Sequence, residues 1–331
     1  MQGETVKALF GRAAWAVDTF WYAPTPALRV ALLRVLLGGF ATIYVASRYL
    51  AFSSVSHFTA AEFVPVGLVS WLGQAPISAV GLHVAILLTI LLGVGFSLGV
   101  VYRVTGPVFG LALLWLTSYR NSWGMLFHTE HLLVLQILVL AAAPAADALS
   151  WDDYRARRRS AAHELPPHGR YCWPARLMSL ILVVCYMLAG VAKLKLAGVG
   201  WFHGDFLRAQ VAMDNLRKIE LGAEFAPLGA ALVRHAWPFS TLAAITMLVE
   251  LGAPVALLGG RWALAWVIAA WGFHVAILVT MAIVFPYQLT LLAYAPLFQC
   301  ERWLELPRAQ RLKQWLFTRR LLAGTSQAAL D

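Results

Sequence analysis

WPARLMSLILVVCYMLAGVAKLKLAGVGWFHG, residues 173–204, is the stretch that decides the fold. From Trp173 to Val191 its only charged residue is Arg176, near its start. A helix of about 20 apolar residues crosses the hydrocarbon core of a bilayer, and this run has that length. Lys193 then falls on its last turn. A lysine there either snorkels its ammonium to the headgroups or points into a protein cavity. The rest ends in a Gly, Trp and His loop, with Trp201 suited to the membrane interface.

The composition generalises this reading. The chain has 331 residues, 60% hydrophobic and only 13% charged, with mean hydropathy +0.70. A soluble domain has roughly a quarter charged residues, so this is an all-α, polytopic integral membrane protein. The net charge is +10. Its arginines flank apolar segments, which fits topology and anionic lipid, with the bilayer rather than nucleic acid as partner. Cys172, Cys185 and Cys300 are odd in number and widely spaced, which argues against a disulfide framework or thiolate metal site. No cleaved signal and no solenoid repeat is read.

About eight spans are expected, near 30–51, 77–101, 104–119, 129–147, 174–194, 238–259, 263–285 and 288–300. Residues 1–27, with Trp15, Trp21 and Tyr22 before Pro24 and Pro26, read as an interfacial segment. Residues 28–300 form the transmembrane domain, and 301–331 a basic amphipathic tail. The loop 52–76 has no Lys or Arg, while Arg155, Arg157, Arg158, Arg159 and the tail arginines lie on the other side. That bias places both termini in the cytoplasm of a cytoplasmic (inner) membrane protein. The loop 195–237 carries Lys195, Arg208, Arg217, Lys218 and Arg234 on the outer side, against the bias.

Ionisable groups inside spans each need an explanation. Arg34 reads as a snorkelling residue and His83 as interfacial. Glu250 and His274 lie at similar depth on consecutive spans, and could form a Glu–His pair that sets the imidazole tautomer. His128 and His131 share a face if their turn is helical, but no third ligand completes a metal site, so no metal is expected. Tyr186, Ala189 and Gly190 share a face with Lys193 at i−7, i−4 and i−3. Small residues there admit another helix or a flat ligand, and a partly desolvated lysine can serve as a base. Residues 205–218 read as an amphipathic helix able to cover a cavity mouth.

Several segments together resemble one family. They are AGVAKLKLAGVGWFHGD (189–205), LVELGAPVALL (248–258), GFHVAILVTMAIVFPYQLTLLAYAPLF (272–298), HTEHLLVLQ (128–136) and ALRVALLRVLLGGF (27–40). In this order they are similar to the HTTM domain, the membrane module of vitamin K-dependent gamma-carboxylases and many bacterial proteins. The resemblance implies that Lys193 is the base that deprotonates a reduced lipid quinone of the vitamin K or menaquinol type. His131, His274 and Glu250 would line or support the catalytic site, and Tyr186, Gly190 and Trp201 would contact the quinone. Oxygenation of the anion would give a strong base that removes a glutamate γ-proton before CO₂ adds. The activity implied is a menaquinol-dependent oxygenase or epoxidase, or a carboxylase-like lyase. Three departures stand out: Ala192 replaces a second lysine, Glu130 replaces an asparagine, and only a basic tail stands where the carboxylases have a lumenal substrate-engaging region. The alternative is a non-catalytic module for maturation or export of a small secreted peptide, with the loop 195–237 as the peptide or protein surface. A transporter reading finds no inverted repeat to support it.

Overall fold

The computed structural model describes residues 11–12, 15–124, 126–159 and 165–305. Residues up to Phe298 form one compact unit; of a second, beginning at Gln299, the described part is the 3-10 segment Cys300–Glu305. The expected amphipathic tail helix falls on residues 306–331, outside the described residues. Residues 15–22 are helical and stop before Pro24.

The described chain is helical, with no strand beyond an isolated pairing of Thr25 with His168. Eight helices have twelve or more residues. They are α1 (Ala27–Ser47), α2 (Ala79–Leu98), α3 (Tyr102–Asn121), α4 (His131–Ala142), α5 (Trp173–Ala197), α6 (Asp205–Glu220), α7 (Trp237–Leu251) and α8 (Gly260–Met281). Local chemistry sets their ends. Pro174 and Pro238 sit in the first turns of α5 and α7, where a missing N–H costs nothing. Ser78 accepts the Gly81 N–H at the start of α2, and Gly99 closes it in the left-handed region.

Four helices, α1, α2, α5 and α8, are long and apolar enough to cross a membrane. The helix α3 has the length, but Arg103 and Arg120 dilute its apolar character. The helices α4 and α7 have 12 and 15 residues, about 18 and 23 Å, against a ~30 Å hydrocarbon core. The expected eighth span is broken. Pro286–Leu289 is a four-residue helix and Leu292–Leu297 a 3-10 segment, separated where Leu291 adopts φ 64°. Pro286 opens the first piece, where proline is tolerated; the run breaks at the left-handed Leu291, and Pro296 keeps an α-helix from continuing through the second piece.

Packing runs α1 on α2, α2 on α3, α3 on α4, and α4 on both α1 and α5. A Cβ at Gly93 would lie 2.4 Å from Thr42 Oγ1, so only glycine allows the close crossing of α1 and α2. On the outside of α2, Val80, Val84, Leu87, Leu91, Val94 and Leu98 form an exposed apolar stripe. In water such a stripe is an aggregation site; against acyl chains it is matched.

Arg34 does not snorkel. It is fully buried, and its guanidinium donates to Ala145 O at 2.7 Å and Leu149 O at 2.5 Å. Those carbonyls end the chain after α4, so Arg34 satisfies polar groups with no helical partner. Arg34→Met should therefore orphan them and lower stability by about 3 kcal/mol, measured as loss of the folded fraction in detergent unfolding curves.

Candidate functional site

The site is built where α5, α7 and α8 approach one another. Both α5 and α8 pack on α7. In a helix the Cα–Cβ bonds tilt toward the N-terminus. Lys193, one turn from the end of α5, is therefore aimed back along the helix rather than out past its end. Its Nζ donates to Glu250 Oε1 at 2.5 Å, and it lies 5.6 Å from the Trp201 ring centroid. The Lys193 side chain is 25% exposed and that of Glu250 is 3%. Of the two orientations open to Lys193, the structure has the inward one.

Gly190 makes this pairing possible. A Cβ there would sit 2.8 Å from Leu251 Cδ2 and 3.1 Å from Glu250 Cβ. Gly190 is a close contact between α5 and α7 and is not among the residues that line the cavity. Gly190→Val should push the helices apart, cost about 1–3 kcal/mol, and weaken binding of any cavity ligand by lengthening the Lys193–Glu250 contact. Calorimetric titration beside unfolding curves would check both effects.

Glu250 and His274 do not pair. Glu250 is level with Gly190, while His274 Nε2 lies 2.8 Å from Tyr186 Oη. Gly190 and Tyr186 are one turn apart on α5, about 6 Å, which separates the two side chains. Tyr186 also meets Tyr294 Oη at 2.9 Å and packs edge-on against Trp266. Trp266 donates to Val249 O, tying the cluster to α7. Tyr294 belongs to the broken segment Leu292–Leu297, which sequence reasoning treated only as a span.

Lys193, Glu250, Tyr186 and His274 line a cavity of about 560 Å³, a volume suited to a small organic ligand. The helix α5 contributes Cys185, Tyr186, Leu188, Ala189 and Lys193; α7 gives Thr246 and Glu250; α8 gives Phe273, His274, Ile277 and Met281. His128 and His131, both exposed, line it beside Leu132. Phe285 stands between two imidazoles, 5.6 Å from His128 and 4.8 Å from His274. Trp201, Leu207 and Gln210 bound it from the loop after α5 and from α6, as the amphipathic reading of 205–218 expected.

Polar and charged groups of the loop 195–237 also find internal partners. Asn215 donates to Thr280 O at 2.9 Å, and Lys218 to Met281 O, capping the end of α8. Arg208 donates to Val233 O, and Asp214 pairs with Arg217 and Lys218. A second buried ion pair, missed in the sequence, lies beside the histidine turn. Glu130 Oε1 accepts from Arg120 Nη1 and from Tyr44 Oη, each at 2.6 Å. Among the described residues, no group of three or more His, Cys, Asp or Glu side chains is placed to hold a metal ion.

The order of these groups along the chain, histidine turn, lysine helix, acidic helix and histidine helix, is the order on which the family resemblance rested. A family model for the HTTM domain matches residues 22–303. The chain belongs to the HTTM domain family. The match spans all eight labelled helices and every cavity residue, so the cavity lies within the HTTM domain of this chain. Together with the apolar helices, HTTM membership makes this an integral membrane protein. Searches of curated proteins and of solved structures gave no match.

Proposed function

We propose that this HTTM protein binds a reduced lipid quinone of the vitamin K or menaquinol type in the α5–α7–α8 cavity and acts as a hydroquinone oxygenase or epoxidase. The Lys193–Glu250 pair takes a hydroxyl proton, with oxygen as co-substrate. The observation that carries this reading is a buried carboxylate paired with a partly exposed lysine on the wall of a largely apolar cavity. Leu188 lines the cavity and is 62% exposed in the second half of α5, so an amphiphile has a sideways route from the bilayer. Tyr186, His274 and His131 supply polar contacts, Trp201 and Phe285 flat ones. Orientation follows arginine placement: both termini are cytoplasmic, residues 15–22 lie at the interface, and α3, α4, α7 and the broken segment 286–297 cross together with the four longer helices, eight crossings in all.

The alternative, a module that matures or exports a small peptide at 195–237, has less support. The polar groups that would greet a peptide are in part committed to capping α8 and to one another. The test is to add reduced menaquinone to the purified protein in lipid nanodiscs, with and without oxygen, and to analyse bound and converted quinone by mass spectrometry. Saturable binding and an oxygen-dependent product, both lost in Lys193→Ala, are expected. Absence of both, with a peptide crosslinked at 195–237, would overturn the reading.

A further inference from the structure

Within the pair, the geometry separates the roles of the two residues. Glu250 Oε1 is occupied by Lys193, but Glu250 Oε2 is buried and meets no hydrogen-bond partner among the described residues. Trp201 Nε1 and His274 Nδ1 are buried in the same way, and all three side chains line the one cavity. Glu250, Trp201 and His274 are 3%, 4% and 5% exposed. Buried polar atoms in native proteins are nearly always satisfied, so three on residues that line one cavity mark hydrogen-bonding capacity that the described residues leave unused. An ionised carboxylate only accepts and an indole N–H only donates. A ligand that satisfied both would bring an O–H and leave an oxygen that accepts.

We infer that Glu250 Oε2 is the proton acceptor of this site, and that Lys193 is its clamp and counter-charge rather than the base. This deepens the reading above and rests on it for the identity of the natural ligand. An ammonium engaged by a carboxylate has three donors and no lone pair, so Lys193 cannot accept a proton while the pair stands. Transfer to Glu250 breaks the ligand O–H bond and forms an O–H on Oε2. The electron pair stays on the ligand oxygen. Before transfer the site holds an ammonium, a carboxylate and a neutral ligand; afterwards an ammonium, a carboxylic acid and an oxyanion. The net charge stays at zero, which matters where the local dielectric is low. The Lys193 ammonium and the Trp201 N–H are then the preformed donors to the oxyanion. His274 Nδ1, about a turn deeper, meets a second polar atom of the ligand. No oxidant enters this step.

The test uses the full chain in nanodiscs and 1-naphthol, a hydroxyl-bearing ring whose anion has its own absorbance band. Infrared difference spectra are taken at neutral pH, where free 1-naphthol is un-ionised. Binding should produce the naphtholate band together with a new carboxylic-acid C=O band and loss of a carboxylate band. The C=O band should vanish in Glu250→Gln and return in Glu250→Asp. Naphtholate without a carboxylic-acid band, or 1-naphthol bound un-ionised, would overturn the assignment. Competition by reduced menaquinone is read separately: its absence removes the quinone as natural ligand, while a carboxylic-acid band still supports Glu250 as acceptor.

Discussion

Lys193→Met is expected to destabilise the protein by about 3–5 kcal/mol, and the double replacement Lys193→Met with Glu250→Leu to recover most of that loss. Glu250 has a 3% exposed side chain, and its one charged partner lies at 2.5 Å. Removing the ammonium leaves a carboxylate desolvated against Leu251, Gly190 and the apolar cavity wall. Removing both charges leaves none to solvate, and a Met–Leu contact of similar bulk fits the same crossing of α5 and α7. Stability and ligand binding should therefore part company: the double variant unfolds near the wild-type denaturant midpoint yet binds no hydroxyl ligand. Unfolding midpoints for the four members of the cycle give the coupling. A single Lys193→Met variant as stable as the wild type would mean that the pair holds nothing together.

The sequence located this site better than it wired it. Lys193, Glu250, His274 and His131 stood out because ionisable groups are costly in apolar helices, and all four line one cavity. That cost says a group needs a partner without saying which one. Glu250 and His274 looked matched in depth, but Gly190 lets α7 slide against α5 so that Glu250 meets Lys193, a turn away from the Tyr186–His274 contact. Arg34 illustrates the same limit. Its partners are carbonyls more than 100 residues away in sequence, exposed by the end of α4, and no periodicity encodes them. Among the spans, α1, α2, α5 and α8 were legible from length and apolarity. The segment 286–297 was not, because its apolar composition resembles a span while a left-handed Leu291 and Pro296 break it.

Glu130→Asn is the other change expected to cost about 3–5 kcal/mol, although Glu130 does not line the cavity. Asparagine is the residue that the resemblance to the carboxylases puts at this position. Here Glu130 is 3% exposed and accepts from both Arg120 and Tyr44. Arg120 in turn lies over the Phe127 and Phe52 rings, 3.9 and 5.0 Å from their centroids. Asparagine is shorter and uncharged, so it leaves a guanidinium enclosed by aromatic rings with no counter-charge at hand. The strain falls on the 3-10 turn His128–Glu130, which carries one cavity histidine and leads directly into the other, His131. Ligand affinity should thus drop along with stability, without any loss of proton transfer to Glu250 in the fraction that binds. Glu130→Gln keeps the length and both acceptor bonds, and is expected to lose about half as much. Pairing Glu130→Asn with Arg120→Met should restore stability while affinity stays low, because the turn has lost its tether to α3. Recovery of both would show that Glu130 answers only to the charge of Arg120 and leaves the histidine turn untouched.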